Sequence, residues 1–421
     1  MSTFFLEGES LQFICRVCKD TRFYEIINLG DQALTGYFPK KEETISKSPL
    51  VLVSCSGCHL SQLLKSEDIK NLYTEGYGYE SHLNSTMRNH LGQVVSDCSN
   101  LLKFEKDDVV LDIASNDGTL LSSYEQKSLI KVGIDPLIDS FSDFYPSQAI
   151  KIRQFFSADA YLNQIKKPAK LITACSVFYD LENPEEFMQD IDQILDVNGI
   201  CLFEQSYFYS MIDTLSYDTI CHEHLLYLRL LDFQKLLIKT NLQIFDVKFN
   251  DVNGGSFQVF IKKRQNLNLE IRESVVDVLK FESNLNISEN HLAKIKDFRK
   301  KVTAYPSELL KIINNAKYER GRRIFGLGAS TKGNVLLQYC SLGPSQIEAI
   351  GEINPKKFGR FTPGSDIPII SESEILSLST PITLFILPWH FSTGIMKSIQ
   401  ALNKSNFDFL IPLPNTPTHK Q

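Results

Sequence analysis

Apolar runs alternate with segments of helical spacing through the middle of the chain. Strands are predicted at 109–113, 131–135, 170–175, 200–204, 242–248 and 256–262, and helices at 84–103, 117–127, 184–196 and 231–240. This alternation predicts a parallel sheet with helices on both faces. Only the turn-rich segment 250–255 separates the last two strands, which are therefore expected to form an antiparallel hairpin.

The pattern changes on both sides of this region. Up to about residue 80, short strands are interrupted by many polar positions. After a charged helical connection at 270–317, a strand, a glycine-rich turn and a helix start follow at 323–334, with further strands at 347–350 and 382–387. We therefore predict an α/β protein with three domains, 1–80, 81–262 and 263–421, in which a doubly wound sheet lies between a small N-terminal domain and a second nucleotide-type fold.

Composition narrows the class of protein. The 421 residues are 43% hydrophobic and 22% charged, as in soluble globular proteins. A net charge of −6 without a long basic run argues against a nucleic-acid surface. The sequence shows neither a signal-peptide pattern nor an apolar run long enough to span a membrane. Nine cysteines, several of them in predicted strands, are expected to be reduced, which favours the cytoplasm.

Four cysteines in the first region form two Cys-x-x-Cys pairs, Cys15 with Cys18 and Cys55 with Cys58. Four thiolates arranged in this way are typical of a tetrahedral structural zinc site without an open coordination position. Gly57 is expected to permit the turn of the second pair, and the 36 residues between the pairs leave room for a hairpin. The alternative is four unrelated cysteines.

A turn of small and polar residues follows the strand at 109–113, and a second strand ends at Asp135. In a doubly wound sheet the backbone of such a turn approaches an adenosine ligand, and the second acid accepts hydrogen bonds from ribose. The turn lacks the Gly-x-Gly-x-x-Gly pattern of dinucleotide sites, which favours S-adenosylmethionine, although an ordinary strand–turn–helix is the alternative. The candidate cofactor-binding residues are Asp112, Ala114, Ser115, Asn116, Asp117, Gly118, Asp135 and Ser176.

A dense polar segment, 217–224, follows the predicted strand at 200–204. A parallel sheet places its active site at the carboxyl ends of its strands, and a histidine oriented by a carboxylate is a good general base near neutral pH. The alternative is a solvated loop. Tyr77 and Tyr79 are either core residues or cleft residues, and Asp180 either reaches the ligand cleft or caps the next helix.

The third region has a possible phosphate-binding turn, Gly-x-Gly-x-x-x-Lys-Gly at 326–333. Backbone amides and one ammonium group are suited to hold phosphate. The loop 354–364 adds three cations and two turn-forming residues nearby. A plain turn and a solvated basic loop are the respective alternatives.

Six motifs, taken in order, resemble those of the nucleotide-sugar C-methyltransferase family, whose members join a zinc domain, an S-adenosylmethionine domain and a C-terminal Rossmann-like domain. These motifs are Cys15/Cys18 with Cys55/Cys58, 115–118, 222–224, 253–256, 326–334 and 359–364. The resemblance covers essentially the whole chain. It implies methylation at C3 of a 4-keto-deoxysugar linked to a nucleoside diphosphate, through proton removal and an enolate.

The resemblance also implies residue roles. His224 matches the base and Glu223 the acid that orients it, with His222 in the same motif, while Tyr79 matches an active-site tyrosine. The substrate-binding residues would be Tyr77, Asn253, Ser330, Lys332, Asn334 and Arg360.

Two departures from the family pattern concern the chemistry. Cys221 stands where well-studied members have a tyrosine, and Asp180 stands where they tend to have a histidine. Both remain catalytic candidates, but the second acid/base partner, the stereochemistry and the methylated carbon stay open. An O- or N-methyltransferase and a non-catalytic nucleotide-sugar binder remain alternatives, with a zinc-ribbon nucleic-acid protein last. The sequence is compatible with a monomer or a homodimer.

Overall fold

The computed structural model describes residues 13–43, 45–67, 72, 79–141, 144–287, 290–402 and 404–420, with the side chains of 286 and 287 excepted. Three sheets organise these residues. Tyr77 lies outside the described residues, so its predicted role is not addressed below.

The first sheet contains strands from two distant parts of the chain. β1 (Phe23–Ala33), β2 (Lys47–Cys55) and β3 (Ser61–Leu63) form an antiparallel meander, and β9 (Leu226–Tyr227) pairs with β3 at its edge. The hairpin of β1 and β2 occupies the long interval between the two cysteine pairs, as predicted. Since β9 follows the His-Glu-His segment directly, this sheet holds that segment in place.

The second sheet has seven strands, in the order β10-β11-β8-β7-β4-β5-β6. Its strands are β4 (Val109–Ile113), β5 (Ile130–Ile134), β6 (Ile150–Ile152), β7 (Ala169–Cys175), β8 (Leu195–Ser206), β10 (Leu242–Asn250) and β11 (Ser256–Lys263). β4 to β8 are parallel, whereas β11 is antiparallel to both β8 and β10. The predicted doubly wound sheet with a terminal hairpin is therefore confirmed, and this strand order is that of class I methyltransferases.

Among the described residues of this part of the chain there are seven α-helices. They are α1 (Ser85–Ser99), α2 (Thr119–Ser122), α3 (Ile138–Phe141), α4 (Ala158–Gln164), α5 (Pro184–Ile194), α6 (Phe208–Thr214) and α7 (Leu230–Leu236). The Asn84 side chain caps α1 by accepting from two backbone amides, and Pro184 starts α5. The helix predicted at 117–127 is only the single turn α2. Strand β6 and helix α4 were not predicted.

The third sheet follows two long helices, α8 (Glu273–Ile287) and α9 (Asn290–Asn314). Its strands are β12 (Arg323–Leu327), β13 (Ile350–Glu352), β14 (Ile369–Ser371), β15 (Ile382–Ile386), β16 (Phe407–Ile411) and β17 (Thr418–Lys420). They lie in the order β14-β13-β12-β15-β16-β17, and only β17 is antiparallel. The remaining helices are α10 (Thr331–Tyr339), α11 (Glu372–Leu376) and α12 (Ser392–Gln400).

One large apolar cluster joins the three sheets. It contains Leu52 of the first sheet, Phe203 of the second and Leu384 of the third, all buried. The three units therefore share one core, which allows a site to form between them. Among the described helices, none combines the length and hydrophobicity needed to cross a membrane.

Candidate active site and zinc site

The four predicted metal ligands converge on one point. Their sulfur atoms all lie within 4.8 Å of one another, with Cys15 Sγ 3.5 Å from Cys58 Sγ and Cys18 Sγ 3.4 Å from Cys55 Sγ. Four thiols at this separation fit a tetrahedral Cys₄ zinc site, whose Zn–S bonds are about 2.3 Å long.

The two cysteine pairs have the same backbone turn. The amide of Lys19 donates to the carbonyl of Cys15, and the amide of His59 donates to that of Cys55. Lys19 and His59, one residue past each pair, have left-handed φ angles of 63° and 61°. Gly57, expected to permit the turn, does not adopt a positive φ. A Cβ there would lie 2.6 Å from the Asp20 carboxylate, so a larger residue would have to displace that side chain.

The turn after β4 has the tight backbone expected of a ligand-binding turn. Ala114, Asn116 and Gly118 have φ angles of 54°, 48° and 75°. At the end of β5, Asp135 accepts hydrogen bonds from the amides of Asn116 at 3.0 Å and Leu137 at 2.7 Å. This fixes the carboxylate at the rim of the turn, and each carboxylate oxygen retains acceptor capacity for a hydroxyl group.

Two other acids of the predicted cofactor set have different surroundings. Asp112 is buried and accepts from the Thr173 hydroxyl at 2.7 Å, and burial raises its pKa to about 7. Asp117 is engaged within the protein, where it accepts from Thr119 and from both the amide and the ring of His82. Asp117 therefore secures the turn to the segment before α1.

A single cavity of about 380 Å³ connects this turn with the His-Glu-His segment. The predicted residues that line it are Asp112, Ala114, Ser115, Asn116, Asp117, Asp135, Ser176, Tyr79, Asp180, Glu223, His224, Asn253, Ser330 and Lys332. Residues from the second sheet, from the His-Glu-His segment and from the third domain therefore contribute to one space.

His224 has a defined tautomer. Its Nδ1 lies 2.8 Å from the carbonyl of Thr219, which can only accept, so Nδ1 carries the proton. Nε2 is then the unprotonated nitrogen, and the ring packs on Tyr179 at 4.0 Å between centroids. Burial and, secondly, the nearby Lys332 lower the pKa of His224 to about 3. A lowered pKa keeps the imidazole unprotonated near neutral pH, so the prediction that His224 is a general base stays a prediction.

The other members of the segment lie deeper. Glu223 lines the cavity beside the Cys221 thiol, and burial raises its pKa. It does not orient His224 as predicted, since the Thr219 carbonyl does so. His222 Nε2 lies 3.2 Å from the carbonyl of Ser48 on β2. Neither His222 nor Cys221 is among the described residues that line the cavity, so the structure does not bring these two catalytic candidates to it.

The predicted substrate-binding residues divide into two groups. Lys332 lines the cavity, and its ammonium donates to the carbonyl of Asn253 at 2.8 Å. Ser330, also at the cavity, caps α10 by accepting from Gly333. Asn334 instead donates to the carbonyl of Thr35 inside the core, and Arg360 donates to the carbonyls of Phe38 and Lys356. Asn334 and Arg360 therefore connect parts of the protein outside the cavity.

Comparisons with known proteins agree with this organisation. Residues 15–73 match a family described as a zinc binding domain, 83–247 match a methyltransferase domain, and 251–414 match the C-methyltransferase C-terminal domain. The C-methyltransferase NovU of Streptomyces niveus is 24% identical over 405 residues, which are 95% of either chain. The chain is therefore similar to the C-methyltransferases over nearly its whole length. It is an S-adenosylmethionine-dependent enzyme, and a structural zinc ion is its second cofactor.

Two solved methyltransferase structures each match less than half of this chain. The plantazolicin methyltransferase BpumL is 16% identical, with a TM-score of 0.35, over 43% of this chain and 86% of the other. An S-adenosylmethionine-dependent methyltransferase from Clostridium acetobutylicum is 15% identical, with a TM-score of 0.34, over 42% and 92%. The strand order of the second sheet identifies the fold of the enzyme.

Two basic residues of the cavity wall were not among the predicted site residues. His390 follows β15, and Lys357 lies in the basic loop, with its ammonium 2.8 Å from the carbonyl of Ala329. The sequence predicts the loop 354–364 only as a group of cations near a possible phosphate-binding turn, and the run at 382–387 only as a strand. The position of His390 just past the end of a parallel strand was the signal that could have identified it.

Proposed function

We propose that this enzyme methylates C3 of a nucleotide-activated 4-keto-deoxysugar. The observation that carries the proposal is the shared cavity, in which the turn beside Asp135 and the imidazole of His224 face one space. Bound at that turn, S-adenosylmethionine supplies an electrophilic methyl group. A carbon nucleophile requires a base in the same space, and His224 lines that space.

The base acts through one defined atom. Because Nδ1 of His224 donates to the Thr219 carbonyl, Nε2 has a free lone pair for the proton on C3. The neighbouring carbonyl at C4 acidifies that proton. Lys332, whose positive charge reaches His224, favours the negative charge that develops on the sugar when the proton leaves.

The third domain supplies the support for a nucleotide-linked substrate. The turn before α10 brings Ser330 and the Lys332 ammonium to the cavity. Cations and a helix start are suited to hold the diphosphate, and the sugar would then reach towards His224. The match to the C-methyltransferase C-terminal domain supports transfer to carbon rather than to oxygen or nitrogen.

The test is deuterium exchange at C3 followed by methyl transfer. Nucleoside-diphosphate-linked 4-keto-deoxysugars are incubated with enzyme in deuterated water and examined by NMR, and the reaction with S-adenosylmethionine is followed by mass spectrometry. We expect exchange at C3 and a gain of one methylene mass. The His224→Gln variant should lose both, whereas His419→Gln, on β17 away from the cavity, should retain both. Methylation of a sugar that lacks a ketone would instead establish an O- or N-methyltransferase.

A further inference from the structure

His390 occupies a fixed place in the cavity wall. It follows β15 and precedes α12, and it is held between two aromatic neighbours, with centroids 5.6 Å from Trp389 and 4.3 Å from Phe391. Trp389 is itself anchored, because its indole donates to the buried Asp218 carboxylate at 2.8 Å. The imidazole of His390 is therefore positioned by its surroundings rather than free to rotate.

The hydrogen-bonding environment of His390 determines its tautomer. Its Nδ1 is buried, and no described residue forms a hydrogen bond with it. A buried N–H donor without an acceptor is costly, so the proton is better placed on the other nitrogen. Nε2 is not among the buried atoms without a hydrogen-bond partner. Because the ring lines the cavity, Nε2 is the nitrogen that faces it. His390 therefore presents an N–H group to the cavity.

This is the opposite of the arrangement at His224. There the Thr219 carbonyl holds the proton on Nδ1, so a lone pair faces the cavity. Burial disfavours a positive charge on both imidazoles, and the nearby Lys332 disfavours it further. One cavity thus contains a neutral imidazole that accepts a proton and a second one that donates a hydrogen bond.

We propose that His390 Nε2–H donates a hydrogen bond to the ketone oxygen of the substrate while His224 Nε2 removes the adjacent proton. This inference rests on the proposed function. The proton leaves C3 for His224, and the electron pair of the C–H bond forms the enolate, whose negative charge lies on the oxygen bonded to His390. A neutral imidazole is suited to this task because its N–H stabilises the enolate without first having to be charged.

The proposal explains how the enzyme manages with a cysteine at position 221. Cys221 does not reach the described cavity wall, and burial beside Glu223 raises the pKa of its thiol, so it is a poor proton donor to substrate. His390 comes from a different domain and provides a donor that Cys221 cannot.

The test compares His390→Phe and His390→Gln with the wild-type enzyme. S-adenosylhomocysteine replaces the methyl donor, a nucleoside-diphosphate-linked 4-keto-deoxysugar is the probe, and C3 exchange is measured in deuterated water. We expect the exchange rate of the phenylalanine variant to be about 100-fold below that of the wild-type enzyme. The rate of the glutamine variant should stay within about 10-fold of wild type, because its amide can still donate a hydrogen bond. Calorimetry should show unchanged S-adenosylhomocysteine binding in both variants, which verifies folding.

A second readout separates a contact from a structural effect. The infrared carbonyl stretch of the bound ketosugar should lie at lower frequency in the wild-type enzyme than in His390→Phe, because a hydrogen bond polarises the carbonyl. If His390→Phe exchanges the C3 proton as fast as the wild-type enzyme, or if its carbonyl band is not shifted, the role of His390 is overturned and the proposed function still stands. An absence of exchange in the wild-type enzyme itself would overturn both.

Discussion

The turn after β4 and the turn after β12 follow the same plan but differ in what they leave available. In each, a buried strand leads through a turn into a helix, and the next strand ends in an acid that accepts from a turn amide. Asp135 accepts from Asn116 at 3.0 Å, and Glu352 accepts from Ala329 at 2.9 Å. By backbone geometry alone, both turns are candidates for a ribose-binding site.

The difference comes from a lysine in the loop after β13. Lys357 Nζ lies 3.6 Å from the Glu352 carboxylate, and the amides of Ile353 and Asn354 occupy its second oxygen. No cation pairs with Asp135 among the described residues. Asp135 lines the cavity and Glu352 does not. In this protein, a strand–turn–acid pattern therefore leaves a charged acceptor for a nucleoside only where no internal cation pairs with the acid.

Cofactor binding provides the strongest test of this comparison. Replacing Asp135 with Asn removes a charged acceptor for two ribose hydroxyls, each such bond being worth about 1.5 kcal/mol, so S-adenosylhomocysteine affinity should fall about 100-fold. The matched substitution Glu352→Gln should leave affinity within about twofold, since Glu352 is occupied by Lys357. Titration calorimetry measures both, and equal losses would contradict the distinction between the two turns.

Stability provides the next test. Lys357→Met leaves the buried Glu352 carboxylate without its cation and should destabilise the protein by about 2–3 kcal/mol. Adding Glu352→Gln should recover much of this loss. Lys356→Met, which removes an ion pair to Glu80 from a lysine that is 64% exposed, should cost less than about 1 kcal/mol. Guanidinium unfolding midpoints measure these effects, and the comparison fails if the double variant is no more stable than Lys357→Met.

The same comparison shows what sequence could and could not predict. The central sheet, its terminal hairpin, the Cys₄ cluster and the convergence of Asp135 with His224 follow from local patterns and strand ends. Three other features do not follow from such patterns. They are the pairing of Glu352 with Lys357, the contacts that Asn334 and Arg360 make outside the cavity, and the Thr219 carbonyl as the partner of His224. Each depends on which groups the folded chain brings together, and spacing along the sequence does not encode that.

The smallest expected effect concerns Lys332, the cavity residue whose charge acts on His224. Removing the Lys332 charge stabilises the imidazolium of His224, so Lys332→Met should raise the pKa of His224 from about 3, while burial keeps it below its ordinary value. NMR titration of the imidazole measures the shift, with Lys356→Met as the control that leaves it unchanged. Because the folded-state pKa lies below that of the unfolded chain, His224 destabilises the fold as the pH falls below about 6.5, and the variant should lose less stability there. A pKa that stays the same or falls would show that the C-terminal turn does not act on the base.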